Sequence, residues 1–245
     1  MTSTLPMLSH YTLLLTLGAA LTLSGCAKDP SEAAPKAEVG AVKASAKANA
    51  PAEAKGDDKV VAKSAAPDSK ASAKGEAPAD YALSGTIGFV GSKVTGSHTG
   101  LFKTWSGTMK ADPKLEALSL SFSADVASVF SDPEKRGAWN AKLDEHLKSA
   151  DFFDAATHPK ATFVSTAIAK DTKGPHTHKV SGDLTMRGVT RPVTFPATVT
   201  MSAEGIEAKA EFTIQRSQWG VSYKGKADDL IREGVVLKVD VKGKS

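Results

Sequence analysis

The stretch that decides the fold is VTFPATVTMSAEGIEAKAEFTI, residues 193–214. Apolar side chains alternate with polar ones along residues 193–201 and again along residues 206–214. A period of two is typical of strands that have one dry face and one wet face. The short Ala203-Glu204-Gly205 sequence between the two runs is compact enough for a turn. We therefore predict an antiparallel hairpin here.

The same alternation recurs along most of the C-terminal two thirds of the chain. Together with the hairpin, these segments bring the expected number of strands to eight: residues 82–90, 101–110, 118–126, 161–170, 180–187 and 235–242. Eight antiparallel strands can close into a barrel or stack as a sandwich, and the pattern alone does not choose between them. Small residues such as Gly182 and Ala197 occur beside large ones such as Phe122 and Phe163 on the dry face. This mixture of sizes is compatible with a filled core and with an open channel.

One helical stretch interrupts the strands. Ser131-Asp132-Pro133-Glu134 offers an N-cap and a proline at the first helical position. Trp139, Leu143 and Leu147 follow at a spacing of four and form an apolar stripe, and the helix is expected to run through Lys148. We expect this stripe to pack on the sheet.

The N-terminus has the features of an export signal. Residues 1–26 contain no Asp, Glu, Lys or Arg, and Tyr11–Leu23 form an apolar run that is too short for a membrane span. Leu23-Ser24-Gly25-Cys26 resembles the bacterial lipobox, in which the cysteine receives a diacylglycerol. The sequence thus predicts a signal peptide over residues 1–25, lipidation of Cys26 and anchoring to the cell envelope. Because Ala27 rather than Asp follows the cysteine, the expected location is the outer membrane, facing the periplasm.

Residues 26–79 are predicted to be a disordered linker rich in Ala, Lys and Pro, because they lack aromatic residues and cannot build a core. The folded domain is expected over residues 80–245. The chain's formal net charge of +4 is too small to indicate binding to nucleic acid. Its single cysteine excludes an intramolecular disulfide.

Catalytic and metal-binding interpretations are not favoured. Asp144-Glu145-His146 cannot converge on one atom, because adjacent helical residues point about 100° apart. His176 and His178 would need further ligands to hold zinc. No motif of a phosphate loop or nucleophile elbow is present, so we predict no catalytic residue and no metal. The segments also lack the aromatic girdles of a transmembrane barrel.

Several sequence blocks carry a family resemblance. HLKSADFFD (residues 146–154), PKATF (159–163), GDLTMRGVTRPV (182–193) and FTIQRSQWGV (212–221) look like the signature blocks of the YceI-like family of polyisoprenoid-binding proteins. This resemblance implies an all-β fold, an eight-stranded antiparallel lipocalin-like barrel with one short helical insertion. It also implies an apolar channel for an isoprenoid chain, with no cofactor other than a bound lipid.

On this hypothesis the dry faces of the strands supply the channel wall. The expected lipid-binding residues are Ile87, Phe89, Leu120, Phe122, Phe163, Leu184, Met186, Phe195, Val199, Phe212, Ile214 and Trp219. A phosphate head group at the mouth would suit Arg187, Arg191 and Arg216. The alternative is an interaction module without a ligand, displayed on a flexible stalk.

Overall fold

The computed structural model describes residues 28–43 and 77–244. The helices are α1 (Pro30–Ala33) and α2 (Asn140–Lys148), with short 3-10 helices at Val126–Ser128 and Arg216–Trp219. The strands are β1 (Glu38–Val39), β2 (Ala79–Lys93), β3 (Gly96–Phe102), β4 (Trp105–Ala111), β5 (Leu118–Asp125), β6 (Val129–Ser131), β7 (Lys160–Lys170), β8 (His178–Met186), β9 (Val189–Ser202), β10 (Gly205–Gln215), β11 (Gly225–Lys226) and β12 (Asp229–Lys244).

Eight of these strands form a closed antiparallel barrel in the order β2-β4-β5-β7-β8-β9-β10-β12. The ring closes because β12 returns to pair with β2, from Lys244 opposite Ala82 to Ile231 opposite Lys93. The predicted barrel is confirmed, and the sandwich alternative is wrong. Closure also removes the free edges that an open sheet would present.

One predicted strand is two strands in the structure. The expected segment 101–110 breaks at a bend, so that β3 and β4 share one edge of β2 at different heights. β4 stays in the ring and continues to β5, whereas β3 pairs with β6 outside the ring. Two apolar residues, Leu101 and Phe102, are followed there by two polar ones, Lys103 and Thr104, so the alternation is interrupted at the bend.

Helix α2 begins later than predicted. Ser131 ends β6, and Asp132 adopts a left-handed backbone with φ of 42°, so the chain cannot enter a helix there. The stripe nevertheless packs as expected at its C-terminal end, where Leu147 is buried against Phe89 and Val129. Trp139 stays 48% exposed at the start of the helix.

Residues 28–43, which we call the strap, differ from the predicted disordered linker. β9 pairs with β10 only over residues 198–202. Where the two strands separate, nearer the start of β9, the strap lies between them. On one side Ala37 N donates to Thr213 O at 2.9 Å and Thr213 N donates to Pro35 O at 2.8 Å. On the other side β1 pairs with β9, and Gly40 N donates to Pro192 O at 2.8 Å.

The strap needs no core of its own because the barrel supplies its partners. Its backbone borrows hydrogen bonds from β9 and β10, and Ala34 is buried against Val90 and Val236. The rest of the predicted linker, residues 44–76, and the predicted signal peptide lie outside the described residues. A chain of residues 28–245 therefore retains every contact of the barrel and the strap that the structure describes.

Gly85 lies where β2 pairs with β12 to close the barrel, and only glycine fits at this position. Gly85 has φ of +124°, and a Cβ there would lie 2.3 Å from the backbone oxygen of Asp240 on β12. We expect Gly85→Ala to lower the free energy of unfolding by about 2 kcal/mol, through backbone strain and the clash. Urea unfolding followed by tryptophan fluorescence measures this change.

Gly91→Ala is the matched control on the same strand, because no atom lies within 4 Å of an added Cβ. Its free energy of unfolding should stay within about 0.5 kcal/mol of the wild type. Equal stabilities of the two variants would contradict this account of barrel closure.

Candidate ligand-binding cavity

A cavity of about 770 Å³ occupies one half of the barrel. This volume lies within the range of roughly 300–1,000 Å³ that is usual for ligand pockets. The wall is mostly apolar, with aromatic rings contributed by several strands and by the segment that follows α2. The interior is therefore hollow, and this answers the question that the residue pattern left open.

The barrel is filled in one half and hollow in the other. Three rings form the floor of the cavity: Phe195 stacks on Phe212 with centroids 3.9 Å apart, and Phe163 lies 5.6 Å from Phe195. Above them the wall carries small residues, since Ala124 and Ala161 are paired directly across β5 and β7. The cavity exists because small side chains face inward above this floor.

The structure places nine of the twelve expected lipid-binding residues along the cavity wall: Ile87, Phe89, Phe122, Phe163, Leu184, Met186, Phe195, Phe212 and Ile214. The other three do not line it. Leu120 and Val199 face inward but lie in the filled half, packed in the hydrophobic core. Trp219 is fully buried, and its Nε1 donates to Leu184 O at 3.1 Å.

Other lining residues were absent from the sequence-based set. Phe153 packs edge-on against Phe89 and Phe102, with ring centroids 5.7 and 5.6 Å away. Tyr223 contacts His146 at 4.9 Å between centroids. Phe153 lies in the 146–154 block quoted above, and it follows α2 rather than lying on an alternating strand. That block was the signal that could have identified Phe153, because the alternation of the strands does not extend to it.

Two of the proposed head-group arginines do not line the cavity. Arg187 donates from Nη1 to the backbone oxygens of Ala150 and Phe152. Arg191 donates from Nε to Gln218 O at 2.8 Å. Both guanidinium groups connect loops at the end of the barrel, and neither lies on the cavity wall where we expected it.

Arg216 lines the cavity, but four of its five N–H donors are already used within the protein. It is 4% exposed and donates to the backbone oxygens of Arg232, Val221 and Ile231 at 2.9, 3.0 and 3.2 Å. Burial lowers its pKa and the carboxylate of Glu233, 3.3 Å away, opposes that shift. Arginine remains charged under such conditions. The side chain holds the backbone at the cavity wall, and its contact with a head group stays a prediction.

Several charged side chains lie together at the mouth of the cavity. We define the mouth by Lys93 at the end of β2, Trp139 and Lys142 at the start of α2, Lys226 in β11 and Asp229 at the start of β12. Lys93 forms an ion pair with Asp229, and this hydrogen bond holds the pKa of Asp229 below its usual value. Lys142 and Lys226 are exposed, and neither has an ion-pair partner within residues 28–43 and 77–244. The ammonium groups of Lys93, Lys142 and Lys226 therefore outnumber the carboxylates of Asp228 and Asp229 at the mouth.

The Asp144-Glu145-His146 sequence does not form a cluster. Asp144 accepts from Ser131 N at 2.7 Å and pairs with Arg136 at 3.0 Å, while His146 faces Asp151 at 2.9 Å. Although burial raises the pKa of Asp144, hydrogen bonds from Ser131 and Arg136 hold it below its usual value. These groups stabilise the loop before α2 and the end of the helix.

Across the described part of the chain, no three His, Cys, Asp or Glu side chains are grouped so that they could bind a metal ion. In the same residues, no helix has the length and apolar character needed to cross a membrane.

Comparison with known proteins identifies the barrel. A family model described as a YceI-like domain matches residues 81–243. The chain belongs to the YceI-like family. This family is one of barrels that bind hydrophobic ligands.

Relatives and a solved structure are consistent with this assignment. A UPF0312 protein of Pseudomonas fluorescens is 36% identical over 153 residues, which cover 57% of this chain and 74% of the relative. One of Pseudomonas savastanoi pv. phaseolicola is 40% identical over 129 residues, which cover 49% of this chain and 62% of the relative's length. The crystal structure of Burkholderia cenocepacia BcnA superposes with a TM-score of 0.55 at 29% identity, covering 64% of this chain and 94% of that one.

The role of Arg216 can be tested by Arg216→Met. Removing the guanidinium leaves three buried carbonyl groups without a donor, so we expect the free energy of unfolding to fall by roughly 3 kcal/mol or more. Urea unfolding measures this loss. Arg191→Met is the control, because this half-buried side chain should cost only about 1 kcal/mol. Wild-type stability of Arg216→Met together with lost ligand binding would restore the head-group role.

Proposed function

We propose that this protein binds an isoprenoid, or a similarly long apolar amphiphile, in the cavity while a lipid anchor holds it on the cell envelope. One observation carries the first part: an apolar cavity of about 770 Å³ ends at a positively charged mouth. An amphiphile has the same division, with a long tail and a polar head. We propose binding rather than catalysis as the function.

The energy of binding would come from the tail. Each methylene group withdrawn from water contributes about 0.8 kcal/mol, so even part of a prenyl chain offsets the entropy lost on immobilisation. The tail would end against the rings of Phe163, Phe195 and Phe212, which form the cavity floor. Rings and branched side chains suit a methyl-branched chain, because both present irregular surfaces that interlock.

The polar head would lie at the mouth, beside Lys142 and Lys226. These lysines replace the three arginines as our proposed head-group contacts, because their ammonium groups are exposed and unpaired within the described residues. A phosphate or another polar head carrying acceptor oxygens would suit two ammonium donors.

Ligand binding can be tested by filling the cavity from its wall. Gly91 lines the cavity on the same face of β2 as Ile87 and Phe89, and an added Cβ meets no atom within 4 Å. A phenylalanine at this position should enter the cavity without displacing backbone. We expect full-length wild-type protein, purified from host membranes in mild detergent, to carry one lipid per chain in native mass spectrometry and organic extraction.

The Gly91→Phe variant should carry at least about tenfold less lipid, because its ring would occupy space that the tail needs. Gly174→Phe is the matched control, since Gly174 is exposed in a loop away from the cavity and also has open space around its Cβ. Circular dichroism checks that both variants fold. Full occupancy in folded Gly91→Phe, or repeatedly empty wild-type protein, contradicts ligand binding and favours the interaction module.

The lipid anchor rests on the sequence Leu23-Ser24-Gly25-Cys26, which lies outside the described residues. We propose that acylated Cys26 holds the protein on the outer membrane, facing the periplasm. Two or three acyl chains bind a membrane far more strongly than one.

Cys26→Ser tests the anchor. The wild type should fractionate with membranes after cell lysis, and the variant should move largely into the soluble fraction. Metabolic labelling with a fatty acid should mark the wild type only. Labelling of Cys26→Ser, or an unlabelled wild type, would show that this cysteine is not the acylated residue.

A further inference from the structure

Exposed apolar side chains are concentrated around the mouth. Of the five large apolar residues exposed in the described part of the chain, three lie there: Val94 at 43%, Trp139 at 48% and Leu230 at 47%. Val94 follows Lys93 and Leu230 follows Asp229, and Val94 N donates to Leu230 O at 3.2 Å. Two neighbouring hairpin tips therefore present aliphatic side chains to the outside, and Trp139 is exposed on α2.

Basic residues accompany this apolar surface. Lys142 lies one helical turn after Trp139, and Lys226 lies beside the tip that carries Leu230. Exposed aliphatic residues and a tryptophan interspersed with lysines are typical of surfaces that enter the headgroup region of an anionic membrane.

The strap provides a second, independent observation. Asp29 at its start accepts from Ser92 Oγ at 3.2 Å and pairs with Arg232 at 3.1 Å. Ser92 lines the cavity close to the mouth. Asp29 follows Cys26 by three residues in the sequence, and Asp29 itself lies beside the mouth.

We propose that the mouth of the cavity is a docking surface for an anionic lipid bilayer. Val94, Trp139 and Leu230 enter the headgroup region, and Lys142 and Lys226 meet anionic head groups. The occupant is a lipid surface, and Asp29, at the start of the strap, lies beside that same surface. The contribution of the lipid anchor to this docking rests on the proposed function. The docking surface itself does not depend on the anchor.

Vesicle flotation tests the surface without the anchor. A chain of residues 28–245 keeps the strap and the barrel but lacks Cys26, so its binding reports the mouth alone. We expect it to bind vesicles of phosphatidylcholine with about 30% phosphatidylglycerol and to bind pure phosphatidylcholine at least about tenfold more weakly, because anionic head groups attract the lysines. Added salt should weaken binding by screening.

Two double variants separate the contributions. Val94→Glu with Leu230→Glu, and Lys142→Glu with Lys226→Glu, should each reduce partitioning onto the phosphatidylglycerol vesicles by about tenfold or more. Val164→Glu is the matched control, since Val164 is 55% exposed on the barrel wall away from the mouth. Its partitioning should equal that of the wild type. Equal binding by all variants would overturn the proposal, as would binding to neither kind of vesicle.

A depth measurement keeps the test independent of charge and of folding. Lipids brominated near the glycerol should quench the fluorescence of the bound wild-type chain, and Trp139→Phe should lose most of that quenching while retaining the cooperative unfolding of its barrel. Undiminished quenching in Trp139→Phe would place another surface on the membrane. Because Val94 and Leu230 do not line the cavity, the double variant Val94→Glu, Leu230→Glu should still carry lipid in the mass-spectrometric assay. Failure of docking and failure of ligand binding are thus distinguishable.

Discussion

The pairing of β12 with β2 is the constraint on which the rest of the molecule depends. It joins the last strand to the first strand of the ring and turns an eight-stranded sheet into a closed wall. Once the wall is closed, every second side chain must face a common interior, and the sizes of those side chains decide how much of that interior is empty. Stacked Phe195 and Phe212 fill one half, while Gly91, Ala124 and Ala161 leave the other half open.

The alternation of apolar and polar residues was sufficient to predict the strands of the ring and their inward face, but it missed the division of β3 from β4 and the short strands β1, β6 and β11. It could not give depth along the barrel axis, because a period of two is the same at either end of a strand. Leu120 and Val199 were for this reason expected at the cavity although they belong to the filled half. Whether the sheet closes depends on pairing between distant segments, which the family resemblance supplied and the pattern did not.

The expected head-group residues show a different limit of the sequence. An arginine in a sequence does not reveal whether its donors will find backbone oxygens, and those of Arg187, Arg191 and Arg216 do. Lysines that stay unpaired are identified only when the neighbouring carboxylates have been placed. The strap was missed on similar grounds, because composition measures whether a segment can build a core and not whether a neighbouring sheet offers it hydrogen-bond partners. Its partners on β9 and β10 become available only where those strands separate.

A mouth placed on a bilayer changes what must determine binding. If the ligand entered from water, each methylene would contribute its full transfer free energy. If it enters from lipid, the tail exchanges one apolar surrounding for another, and that contribution largely cancels, since lipid tails are about as apolar as leucine. Net affinity then depends on how well the rings of the wall pack against a branched chain and on contacts of the head with Lys142 and Lys226. A cavity that takes its ligand directly from a membrane therefore selects by shape and head group, and the half-filled barrel with a basic mouth provides both.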